Sequence, residues 1–313
     1  MRPRDRTRAL ELKATLSAFS ANYHLLSGIS DERACDCLVE QLLESIRRLQ
    51  YVQVMLQREV SEQRADPAGD GFDPLLGAMW HLRQGNRDES FWLVFLFVHF
   101  GKHRSAGWRY AREVYAGVGS GGIWTWARVS VDTAGFRAWL HDQQGMLRRE
   151  GVPRGFGNHR KYQSLDAHSQ SGTGAAVETY VRWIDPPRAH DELFTDALVA
   201  SQNVPETAFD LLYQSMNAVA SFGRTAKFDY LSMIGKLGLA RIKPGKTYMH
   251  GATGPSQGAR LLLYGKRDSK ARVADLETVL TALGSELDVG MQVIEDALCN
   301  WQKSPKLFRP FRG

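Results

Sequence analysis

Residues 90–101, SFWLVFLFVHFG, constrain the fold more than any other stretch of this 313-residue chain. Aromatic and aliphatic side chains occupy nearly every position, so a helix here has no polar face to offer water and runs through the centre of a domain, covered by other elements on all sides. Its apolar run, residues 91–98, is far short of the roughly 20 residues a membrane span needs. The helix carries His99, Lys102 and His103 to its far end. His99 and His103 are four apart and share one helical face, a spacing that metal sites use, but neither a neighbouring HExxH pattern nor a third ligand accompanies them, so no metal site is expected.

What covers the central helix is itself helical. Leu38, Val39, Leu42, Leu43, Ile46, Leu49, Val52 and Leu56 recur at three-and-four spacing and predict a long amphipathic helix within residues 31–63. The same period returns over residues 74–115, 132–149 with Asp132 as cap, 175–184, 190–200, 205–219, 226–237, 270–283 and 287–301. No run of alternating strands and no internal repeat interrupts it, and the expected class is all-α and multi-helical. Pro67, Gly69 and Gly71 make residues 65–73 a loop, the best boundary between an N-terminal helical accessory region, 1–66, and a main domain, 71–313.

The net charge of +6 is modest for this length and points to local patches facing an anionic partner, nucleic acid or phosphate. Three cysteines, Cys35, Cys37 and Cys299, are too few for a disulfide framework or a four-ligand zinc site, which suggests a reducing cytoplasm. The basic N-terminus is interrupted by Asp5 and Glu11, and no apolar segment of a signal peptide follows it. No membrane partner is expected.

Four segments gather polar chemistry. In the first, residues 222–260, a helix over 226–237 places Asp229 on or near its polar side and stops at Gly235 and Gly238. Arg241, Lys243 and Lys246 then surround Pro244 and Gly245 in a cationic turn. In GATGPSQGAR (251–260) Gly254 can take a positive φ and Pro255 suits the start of a new helix, whose free N–H groups form a phosphate seat. This pattern is loosely similar to a helix-hairpin-helix element; a tight connection between two helices fits it equally.

The second segment, GVGSGG (117–122), lacks the Lys-Ser/Thr ending of a P-loop, which argues against a kinase-type nucleotide site; Trp124 and Trp126 beyond it either stack on a base or fill a core. The third, GVPRGFGNHRKY (151–162), interleaves Arg154, His159, Arg160 and Lys161 with Phe156 and Tyr162, a mixture suited to backbone contact plus base stacking or to a solvated loop. The fourth is the last helix, where Glu295, Asp296, Asn300 and Lys303 offer carboxylate, amide and ammonium groups on what is otherwise an ordinary amphipathic helix.

The motifs FWLVFLFVHFGKH (91–103), FGNHRKY (156–162), FGRTAKFDYL (222–231), ATGPSQGARLL (252–262) and VIEDALCNWQKSP (293–305) resemble the alpha-glutamyl/putrescinyl thymine pyrophosphorylase family, clade 3, from about residue 71 onward. The resemblance implies an all-helical fold related to helix-hairpin-helix DNA glycosylases. It further implies a transferase on DNA that displaces pyrophosphate from a 5-pyrophosphomethyl-uracil base with an amine, an amino acid or a polyamine. No cofactor is expected.

That chemistry sets expectations for the motif residues. Negative charge on the departing pyrophosphate calls for cations and helix N-termini, giving Lys102, His103, Arg160, Lys161, Arg224, Gly254, Gly258, Asn300 and Lys303 as substrate and phosphate contacts. Deprotonation of the amine calls for a carboxylate or imidazole, giving Asp229, Glu295 and His159. A base flipped from a duplex would stack on Tyr162 or Trp124. The rival expectations are a DNA glycosylase, with a carboxylate facing the sugar, and a helical nucleic-acid-binding protein without catalysis.

Overall fold

A computed structural model describes residues 5–119, 122–151, 155–157, 160 and 163–310. Among them are fourteen α-helices and no strand: Arg6–Asn22 (α1), Glu32–Gln57 (α2), Pro74–Arg83 (α3), Arg87–Phe100 (α4), Arg109–Ala116 (α5), Trp126–Val129 (α6) and Thr133–Leu147 (α7), then Thr173–Ile184 (α8), His190–Ala200 (α9), Pro205–Ser215 (α10), Arg224–Lys236 (α11), Gly254–Tyr264 (α12), Val273–Glu286 (α13) and Met291–Trp301 (α14). The all-α expectation holds. No helix among the described residues is long and apolar enough to cross a membrane.

The helices form two compact units, one built from the described residues up to Val54 together with those from Pro244 onward, the other from Met55–Lys243. In the first unit α1, α2, α12, α13 and α14 share a core that includes Leu16, Leu38, Leu42, Leu262, Leu280 and Trp301. Polar ties link the two ends of the chain within it: the Trp301 indole N–H donates to the Ala34 carbonyl at 3.1 Å, and the Arg8 guanidinium donates to the Leu287 carbonyl at 2.8 Å.

The second unit is assembled around α4. Phe91, Trp92, Leu93, Val94, Phe95 and Leu96 are wholly buried, as a helix without a polar face requires. Asp88 and Glu89 in its first turn complement the positive end of the helix dipole, and Gly101, at φ 63°, ends it in a conformation that glycine adopts without strain. Before it, Asp73 caps α3 by accepting from the N–H groups of Leu75 and Leu76, with Pro74 at the first turn. The Ser90 hydroxyl donates to the Ala78 carbonyl at 2.9 Å and locks α3 to α4.

Candidate active site

The C-terminal end of α4 is the point in the second unit where the expected site residues converge. Arg160 is buried; its Nε donates to the Val98 carbonyl at 2.6 Å, and its Nη2 donates to Oδ2 of Asp229 on α11 at 2.9 Å. The guanidinium thus binds both an orphan carbonyl at a helix end and a carboxylate. Asp229 is 44% exposed, so Arg160 fixes one of its oxygens while the carboxyl group still meets solvent. The approach is close: a Cβ on Gly101 would lie 3.3 Å from Cα of Gly157 and 3.4 Å from Cγ of Arg160, while the Gly157 N–H donates to the Phe100 carbonyl at 2.8 Å.

A buried polar chain ties α11 to the start of α4 beside Asp229. His190 donates through Nδ1 to Oδ1 of Asp88 at 2.6 Å, which leaves its Nε2 to accept from the Tyr180 hydroxyl at 2.8 Å; Tyr180 in turn accepts from the Tyr230 hydroxyl at 2.8 Å. Burial, opposed by Asp88, pushes His190 below its ordinary value and keeps the ring neutral, as this donor order requires. Burial also lies behind the raised pKa values of both tyrosines. The chain joins the start of α4 to α8, α9 and α11, one residue from Asp229.

Lys102 and His103, adjacent in sequence, have different surroundings. The Lys102 ammonium lies 5.8 Å from the centre of the Trp108 ring. His103 turns back on its own loop: its Nδ1 accepts from the Ala106 N–H at 3.1 Å, and its backbone pairs with Gly107. His99 is buried with Nε2 2.9 Å from the Thr173 hydroxyl, so the two histidines do not converge as the shared-face spacing suggested. Arg224 opens α11 with its guanidinium 4.8 Å from the Phe228 ring centre. His159, Lys161 and Tyr162 lie outside the described residues.

Trp124 has no face left for a base. It is 1% exposed, with Phe136 and Trp139 against it and the Arg128 guanidinium 3.6 Å from its ring centre; the core reading of this tryptophan, rather than the stacking one, matches its place. Lys227 was missed. It is buried on α11 with its ammonium on the Asn217 amide oxygen and 4.2 Å from the Tyr213 ring centre, and burial lowers its pKa. The signal was there to read: Lys227 shares a helical face with Tyr230, Leu231 and Ile234, all buried.

The residues expected at the C-terminal end belong to the first unit. Here Asp296, rather than the half-buried Glu295 beside it, gathers a cluster: its carboxylate accepts from the Ser45 hydroxyl at 2.5 Å, from the Asn300 amide at 3.0 Å and from the Arg48 guanidinium. The Asn300 amide also donates to the Asp296 carbonyl, and its oxygen accepts from Lys303 at 3.0 Å. Asn300 and Lys303 are therefore engaged with one another and with Asp296, the residue that joins α14 to α2. Asp296→Ala would strip Ser45, Arg48 and Asn300 of a shared acceptor, and urea denaturation is expected to show a loss of about 2 kcal/mol; an unchanged midpoint would refute the tie.

Gly254 and Gly258 have a packing role in the same unit. A Cβ on Gly254 would lie 2.9 Å from Sγ of Cys299, and one on Gly258 only 2.3 Å from the Leu298 carbonyl oxygen. The missing side chains let α12 lie against α14. The positive φ expected at Gly254 is found at Gly251 instead, at 74°.

A family model described as "Alpha-glutamyl/putrescinyl thymine pyrophosphorylase clade 3" matches residues 33–313. No curated protein and no solved structure matches the chain.

Proposed function

Because the chain belongs to the alpha-glutamyl/putrescinyl thymine pyrophosphorylase family, clade 3, we propose that it transfers an amine to the C5 methylene of a pyrophosphorylated thymine derivative in DNA. The amine nitrogen forms a bond to the methylene carbon as the carbon–oxygen bond to pyrophosphate breaks. The electron pair of the broken bond leaves with pyrophosphate, and the proton lost by the amine passes to a base.

The observation that carries this reading is the pair of Asp229 and Arg160. A proton acceptor for an incoming amine must be reachable from solvent and yet held in place, and a half-exposed carboxylate bound to a buried guanidinium meets both needs. Lys102 and Arg224 supply positive charge for the leaving group. DNA and an amine, amino acid or polyamine, are the two substrates.

Mass spectrometry of nucleosides from 5-pyrophosphomethyl-uracil DNA, incubated with the protein and a mixture of amines and amino acids, tests the proposal. A new base adduct with release of pyrophosphate is the expected result. Intact substrate sinks the reaction for those amines, and free base with an abasic site selects a glycosylase instead. Asp229→Asn keeps the hydrogen bond to Arg160 but removes the base, so turnover is expected to fall about a hundredfold with DNA affinity retained; loss of DNA binding alone would make Asp229 a binding residue.

A further inference from the structure

A cavity of about 490 Å³ lies in the second unit, lined by residues that include Arg64, Asp70, Asp73, Lys102, Trp108 and Arg112. Its charges do not cancel. Asp73 keeps its negative charge but is turned to neutral donors, one oxygen capping α3 and the other accepting from the Trp108 indole N–H at 2.8 Å. Arg109, also in the lining, is buried against Glu113 at 3.0 Å, a carboxylate that it shares with Arg149. Arg112 reaches Asp70 at 2.5 Å, but that carboxylate stands fully in water and makes an exchangeable partner.

Arg64 donates only to a neutral acceptor, the Gly71 carbonyl at 3.0 Å, and Lys102 faces the Trp108 ring; neither has a carboxylate partner among the described residues. Three cations, one of them on a labile bridge, outnumber the carboxylates of the lining and surround space of ligand size. They match an anion that carries several charges on closely spaced oxygens.

We infer that this cavity seats the pyrophosphate group, with Arg64, Lys102 and Arg112 as its contacts. The inference rests on the transferase reading for the identity of the anion. It also places the anion next to the base: Lys102 follows Gly101 directly, and Gly101 packs on Gly157 and Arg160, the residue that holds Asp229. The developing charge and the proton acceptor then flank the same helix end. Adjacent backbone phosphates of DNA offer the same chemistry, so the test must separate the two sources.

Isothermal titration of the full chain with inorganic pyrophosphate, and separately with an unmodified DNA duplex, does so. Arg64→Ala with Lys102→Ala removes two exposed side chains, and thermal denaturation verifies that the variant is folded. Pyrophosphate affinity is expected to fall at least tenfold and duplex affinity less than twofold. Pyrophosphate binding that is absent in the parent chain, or unchanged in the variant, overturns the inference, as does a loss confined to the duplex. Failure of the transferase reading looks different: pyrophosphate binding still depends on both cations, but no adduct forms. An adduct formed at the parent rate by the variant would leave the transferase standing and remove the cavity from it.

Discussion

Gly258→Ala is expected to destabilise the first unit by about 3 kcal/mol in denaturant or thermal unfolding, beyond what the added helix propensity of alanine restores. The reason is geometric. The new Cβ would lie 2.3 Å from the carbonyl oxygen and 2.8 Å from the carbonyl carbon of Leu298, both backbone atoms of α14, so a whole helix must move to admit it. Gly254→Ala is the built-in comparison: its Cβ meets the Cys299 sulfur at 2.9 Å, the end of a side chain that can rotate, and about 1 kcal/mol is expected. If Gly258 served a phosphate instead, the alanine variant would melt with the parent protein and lose affinity for phosphate-bearing ligands. Equal melting of Gly258→Ala and the parent would therefore reject the packing role.

Acid is expected to weaken the second unit through its buried histidines, from the pH at which an unfolded histidine takes up its proton. The Thr173 hydroxyl donates to the Ser164 carbonyl at 2.7 Å, so at His99 it must accept, and Nε2 of the neutral ring carries the proton. A second proton is opposed by burial and then by the Arg160 guanidinium, which together depress His99 from 6.5 to about 3. Above pH 6.5 the ring is neutral in both folded and unfolded chains, and its contribution is fully present. As pH falls from there toward 3, only the unfolded chain takes up the proton, and stability drains by on the order of 4 kcal/mol in all, about half of it by pH 5. His190, also depressed by burial, acts in the same direction. His99→Gln keeps a neutral donor for Thr173, and its unfolding free energy is expected to depend less on pH between 6.5 and 4 than that of the parent chain. Identical slopes would show that His99 takes its proton while folded.

Helix identity was legible because burial writes itself into the period of the sequence. The stretch around α4 had no polar face and proved buried on every side, and α9 lies at His190–Ala200, where the period placed it. What the period cannot show is which apolar stripe meets which. Asp296 reads as one more carboxylate on a polar flank until α2 brings Ser45 and Arg48 to it. Glycines carry a similar ambiguity: a phosphate seat and a close helix contact both demand a missing Cβ, and only the position of Leu298 separates them. Arg160 stood out as a basic residue among aromatics, but its part in holding Asp229 depends on the Val98 carbonyl left open at the end of α4.

The split of the first unit between both ends of the chain has a consequence for synthesis. When α1 and α2 leave the ribosome, the segments that complete their core, from Pro244 onward, do not yet exist. At 5–20 residues per second, the intervening chain takes roughly 10–40 s to make. The second unit is contiguous and can collapse during that interval, while Leu38, Leu42 and their neighbours wait uncovered. A nascent chain arrested before Pro244 should thus bind chaperones through its first two helices and release them once the last turn of α14 emerges.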